Sequence, residues 1–147
     1  MDEPHEGSAK QPLRQFCLFG GPVIAYAALI YFLSSLSHFG EEIHVFSCFD
    51  KVAHLMEYLI FGFLICRWFS SLGPGRKKSA ALIMTMVLGS FYGLLDEWHQ
   101  SFVPGRDASL GDAIFDAAGV TAGAFLYRWL QERRIFSTAP LKGRGEF

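Results

Sequence analysis

At 147 residues the chain has room for a single domain, and with 51% hydrophobic and 16% aromatic residues against 18% charged ones it is too apolar for an ordinary soluble enzyme. A formal net charge of −1, with no basic cluster interleaved with aromatic residues, excludes nucleic acid as a partner. Three cysteines (Cys17, Cys48 and Cys66) with no C-x-x-C pair exclude a disulfide framework and a structural zinc site.

Taken in chain order, the charges are excluded from four long windows. The tail over residues 1–14 is polar and is assigned no structure. From Gln15 to Gly40 there is no Asp, Glu, Lys or Arg, enough residues to cross about 30 Å of hydrocarbon at about 1.5 Å per residue. Lys10 and Arg14 precede this stretch, and Ala25 and Ala27 have the spacing of a cleavage site. The apolar run continues past them to Leu36, which identifies an uncleaved anchor rather than a signal peptide. The second window, about 52–69, carries His54 and Glu57 in its first two turns. The third, about 79–96, is free of charge until it reaches Asp96 and Glu97. The fourth, about 110–130, holds Asp112 and Asp116 before a clean apolar stretch, and residues 132–147 form a second polar tail. The expected fold is all-α: an integral membrane domain over 15–131, with four transmembrane helices in an antiparallel bundle and the lipid bilayer as its solvent. Trp68, Tyr127 and Trp129 at one set of helix ends and Trp98 at the other match the interfacial preference of amphipathic rings.

With four spans, both tails and the turn at Gly73-Pro74-Gly75 share one side of the membrane. That side holds eleven of the thirteen basic residues, leaving only Lys51 and Arg106 opposite. The positive-inside rule therefore predicts cytoplasmic termini in a multi-pass protein of the inner (cytoplasmic) membrane, with the Asp50, Asp96 and Arg106 ends facing out.

The polar residues gather at those outer ends. Asp50, His54 and Glu57 follow i, i+4, i+7 spacing and share a face, with Tyr58 beside them. Gly89, Gly93, Asp96 and Gln100 form a stripe on the third helix, and Asp112, Asp116, Gly119 and Gly123 form one on the fourth. Gly-x-x-x-Gly on both helices predicts close approach. Asp50 reads equally as a helix cap and as a site residue. Ser109 and Asp112 have the form of a capping box, an alternative to a site role for Asp112. His38, Glu41, Glu42 and His44 read as a solvated loop, Cys17 and Cys66 as apolar fillers, and His99 as a solvent-facing neighbour of Trp98. Lys51 at a helix start, and Asp96 and Glu97 at a helix end, oppose the helix dipole and need partners. The expected pairs are Lys51 with Asp96 or Glu97, and Arg106 with Asp112 or Asp116.

Asp50-Lys51-x-x-His54-x-x-x-Tyr58, followed by Asp96-Glu97-x-x-Gln100-x-Phe102-x-x-x-Arg106 and then Asp112-x-x-x-Asp116-x-x-Gly119, resembles the VanZ-like membrane proteins over about residues 50–123. Asp116 departs from that pattern, which has Asn there. The resemblance implies a small multi-span bacterial membrane protein, in a family named for an accessory factor of glycopeptide resistance associated with teicoplanin.

Three functions are compatible with the outer cluster. In the first, Lys51, Arg106 and two helix N-termini receive the phosphate headgroup of a lipid- or glycan-linked envelope component. Asp50, Tyr58, Gln100, Asp112 and Asp116 line that binding site, and His54, Glu57, Asp96 and Glu97 are the candidate catalytic groups. In an enzymatic form, His54, Glu57, Asp96, Glu97 and Asp116 hold a divalent metal, though their spacing matches no defined metal motif. The second function is a transporter or proton relay, against which the inner halves of the first three helices offer no continuous ionisable path. The third is a non-catalytic interaction protein, or a cluster that merely staples helix ends.

Overall fold

The computed structural model describes residues 13–36, 47–73, 78–106 and 108–133. Most of both tails, the loop with His38, Glu41, Glu42 and His44, and Pro74 and Gly75 of the predicted turn lie outside the described residues. The described residues form helices, turns and short irregular links, with no strand among them. Four helices follow one another: α1 (Leu13–Ser34), α2 (Ser47–Ser71), α3 (Lys78–Gln100) and α4 (Leu110–Glu132).

The α1 helix opens with a π-helical stretch at Phe16–Gly20 before turning α-helical over Gly21–Ser34. Proline explains the change of register. Pro22 has no N–H to give to Leu18, and the Leu18 carbonyl is met instead by Arg67 Nη1 from α2 at 3.4 Å. Gln15 donates to the Ser71 carbonyl nearby, and Phe16 packs edge-on against Trp68 at 5.9 Å, so the start of α1 meets the end of α2. Further along, Tyr92 on α3 donates its hydroxyl proton to the Ala27 carbonyl at 2.7 Å, and Tyr26 stacks on Phe61.

The centre of the bundle is set by glycines. A Cβ on Gly119 would run into the Leu55 carbonyl, one on Gly123 into the Leu59 carbonyl, and one on Gly62 into the Val120 backbone. The α2 and α4 backbones are therefore in direct contact, as small residues permit. The α3 glycines act differently, because they receive side chains: Gly89 faces Val120 Cγ1, 2.6 Å from where its Cβ would stand, and Gly93 faces Asp116. Val120 is wholly buried between these helices. Gly62 carried no signal in the sequence, because its own helix has no second glycine four residues away.

Three helices are long and apolar enough to cross a membrane: Leu13–Ser34, Asp50–Ser71 and Lys78–Gln100. The expected fourth span does not join them on those grounds, although α4 has 23 residues. Asp112, Asp116 and Arg128 lower its mean hydropathy, and all three are buried. The outer surfaces of all four helices are apolar, with Ile24 and Phe32 exposed on α1, Met56 and Ile60 on α2, Val87 and Phe91 on α3, and Ile114 and Phe125 on α4. A soluble monomer does not show so much contiguous exposed apolar surface.

Candidate functional site

The last turns of α1 and α3 and the first turns of α2 and α4 meet at one end of the bundle, and the polar residues come together there. His54 Nδ1 lies 2.9 Å from Asp116 Oδ1 and 3.9 Å from Glu97 Oε1. All three side chains are buried, Asp116 completely. The close packing of Gly119 on α2 and Gly93 on α3 brings the first turns of α4 against both helices, which is why an Asp from one can reach a His from the other.

Around this trio the remaining groups form three smaller sets. Asp96 accepts from Ser34 Oγ at 2.6 Å and from Gln100 Nε2 at 3.0 Å, and Gln100 also donates to Ser34 Oγ at 3.3 Å. Lys51 donates to Asp112 Oδ1 at 2.9 Å. Arg106, in the turn after α3, donates from Nη2 to the Leu33 carbonyl at 3.0 Å. That turn passes through Gly105 at φ 82°, a left-handed conformation that glycine adopts without penalty.

Neither expected ion pair forms among the described residues. Lys51 closes on Asp112 of α4, while Asp96 takes its hydrogen bonds from Ser34 and Gln100, and Glu97 takes one from the Ser109 backbone N–H at 2.8 Å. Arg106, expected beside Asp112 or Asp116, forms no ion pair among the described residues and is anchored on α1. The physical reason lies in the dipoles. Asp112 in the first turn of α4 already suits the positive end of its helix, and adding Lys51 relieves the one cation placed against the dipole of α2.

The capping box is also altered. Ser109 is the N-cap of α4 and its hydroxyl accepts from the Gly111 N–H at 3.1 Å. The Ser109 N–H, which Asp112 would satisfy in a box, goes instead to Glu97 Oε2 on α3, so the cap is completed across two helices. Asp50 lies within the first turn of α2, which begins at Ser47, and it is exposed. It therefore does not occupy the capping position.

Among the described residues the Oε1 of half-buried Glu57 has no hydrogen-bond partner, and neither has the Tyr58 hydroxyl, on a fully buried residue. Both flank the cluster without entering its hydrogen bonds. His99 is half-buried: its Nε2 is 3.0 Å from Ser35 Oγ and its ring lies over Tyr31 with centroids 4.5 Å apart. Ser34 belongs to the site although the first helix carries no motif that marks it. The available signal was a hydroxyl pair, Ser34-Ser35, closing an apolar run at the depth where the other helices carry their acids.

Two sets of donors stand close enough to share a cation. Each of His54, Glu97 and Asp116 offers one ligand atom, all within 4.8 Å of one another, and so do Asp50, His54 and Asp112. Chemically, the end offers a buried imidazole–carboxylate contact suited to proton transfer, with Arg106 at its rim.

No curated protein and no solved structure matches the chain. Residues 8–131 match the VanZ/LLP1 family, a span that takes in all of α1, α2 and α3, α4 except its last residue, and every polar group described above. With its apolar outer surface and its three helices of membrane-crossing length, this chain is a membrane protein and belongs to the VanZ/LLP1 family.

Proposed function

We propose that the chain is a four-span protein of the bacterial inner membrane with cytoplasmic termini, whose outward-facing polar end binds or processes an anionic lipid- or glycan-linked envelope component. Through that component it affects susceptibility to glycopeptides such as teicoplanin. The observation that carries the reading is Arg106: a guanidinium fixed on the Leu33 carbonyl, unpaired with any carboxylate among the described residues, at the rim of a buried His54–Asp116–Glu97 cluster. Guanidinium forks suit phosphate oxygens. Lys51, committed to Asp112, contributes less to such a site than the sequence implies.

The reading of α4 as a fourth span with alternating helix directions is supported by its length, its exposed Ile114 and Phe125, and its buried Asp112 and Asp116. Cys48, near the start of α2, tests the orientation. A membrane-impermeant maleimide is expected to label it in intact cells while sparing Cys17 and Cys66; labelling only after lysis places the polar end in the cytoplasm and defeats the proposal.

For the ligand, full-length protein in mild detergent is titrated with short-chain phosphatidic acid and, separately, with the matching phosphatidylcholine. Preference for the anionic lipid, reduced by about tenfold in Arg106→Gln, is the expected result, of the order of one charge-assisted contact. Equal affinity for the two lipids counts against an anion site.

A further inference from the structure

We propose that His54, Glu97 and Asp116 form a binding site for a single divalent transition-metal ion of the zinc or manganese class. Five residues were candidates for such a site from the sequence, and the fold selects three of them. Asp96 is committed to Ser34 and Gln100, and Glu57 stands outside the group. Two of the three separations match a shared ion, and the third is at most 4.8 Å. Donor atoms at about 2.0–2.2 Å from one centre stand about 3 to 3.5 Å apart when adjacent, and about 4 Å apart when opposed in a site of higher coordination. His54 Nδ1 lies 2.9 Å from Asp116 Oδ1 and 3.9 Å from Glu97 Oε1.

Unused acceptor capacity points the same way. Glu97 Oε1 is buried, faces His54 beyond hydrogen-bonding distance, and has no hydrogen-bond partner among the described residues. Asp116 is 0% exposed, with Oδ1 on His54, yet its Oδ2 has no partner among the described residues either. Buried carboxylate oxygens without donors are costly, and a cation is the partner that satisfies several of them at once. The charge balance favours it too. Asp96, Glu97, Asp112 and Asp116 are all buried at this end, against Lys51, which is paired with Asp112, and Arg106, which is held on the Leu33 carbonyl and pairs with none of them.

One imidazole and two carboxylates suit zinc or manganese better than calcium, and three protein ligands leave open positions. The competing set of Asp50, His54 and Asp112 is weaker, since Asp50 is exposed and the Lys51 ammonium stands 2.9 Å from Asp112 Oδ1. Metal binding requires no envelope ligand, so its failure and the failure of anionic-lipid binding are read separately.

The test uses the full chain in mild detergent, stripped with chelator, loaded with Zn²⁺ or Mn²⁺ and desalted. About one ion per chain is expected in the wild type. Asp116→Asn and Glu97→Gln, checked for retained helicity, are expected to lose affinity by about tenfold or more, and Asp112→Asn to stay near wild type. On the unmutated protein, the Mn²⁺-loaded form is expected to show nitrogen modulation from one histidine in pulsed electron paramagnetic resonance, a readout that survives even if a variant fails to fold. A wild type that retains no ion overturns the proposal, as do wild-type affinity in Asp116→Asn, loss in Asp112→Asn alone, or manganese with no nitrogen signal.

Discussion

The two halves of the bundle are built on different principles. In the middle, α2 and α4 are joined by shape: Gly62, Gly119 and Gly123 remove side chains so that backbones touch, and Val120 fills the space facing Gly89. At the polar end the same helices are joined by charge, through Lys51–Asp112 and His54–Asp116, with Glu97 on the Ser109 N–H. Within a membrane, burial of apolar surface drives helices together only weakly, so close packing has to supply most of the association. The polar end is a poor investment for that purpose, because several buried ions cost more than they return unless each is well paired. The contrast teaches that the glycine seam accounts for the fold, which leaves the charged end to be explained by function.

The largest effect is expected from breaking the seam. Gly123→Val places atoms in the Leu59 carbonyl and near the Phe63 N, both backbone groups that cannot swing aside. Destabilisation of about 3 kcal/mol or more is expected from such overpacking, measured as loss of thermal stability in detergent. A mild effect there would show that α2 and α4 can separate slightly, and would weaken the division drawn between the two halves.

An intermediate effect is expected from Lys51→Met, which strands Asp112. Breaking a fully buried pair costs about 3–5 kcal/mol. Lys51 is 32% exposed, so about 1–2 kcal/mol is expected here, and Lys51→Met with Asp112→Asn should recover much of it. Additive losses in the double variant would mean that the two residues do not act as a pair.

The smallest change in stability, and the sharpest division, is expected from shape-preserving neutralisation. In Asp96→Asn the carboxamide oxygen can still accept from Ser34 while Gln100 turns its amide oxygen toward the new NH2, and in Glu97→Gln the carboxamide oxygen can still accept from the Ser109 N–H. Stability should move by about 1 kcal/mol or less. The cellular phenotype, read as teicoplanin susceptibility, should nevertheless be lost if the end is a functional site. Phenotype that falls only in proportion to folded protein would make the end a staple.

The sequence carried a good deal of this, and its failures have physical causes. The all-helical architecture followed from charge-free windows longer than any strand, and the meeting of His54, Glu97 and Asp116 at one end followed from their depth along successive helices. The partners of Lys51 and Arg106 did not follow, because depth along a helix fixes which residues share a layer but not which neighbours face one another. That choice depends on helix rotation, which here is set by glycine contacts, and one of them, Gly62, lies outside any recognisable pattern. The cap of α4 failed for a related reason: Asp112 has the right spacing within its own helix, while Glu97 is nearer only in three dimensions. In α4 the inward turn of Asp112 and Asp116 hides a membrane-length helix from any reading of average hydropathy.

The bond from the Ser109 N–H to Glu97 has a bearing on the order in which the molecule is put together. It spans 12 residues, whereas the Ser34–Asp96 and His54–Asp116 contacts each span 62. Closing the shorter loop costs about 1.5 kcal/mol less chain entropy. The third and fourth helices therefore carry a latch of their own, the least costly in chain entropy of these three contacts to close first.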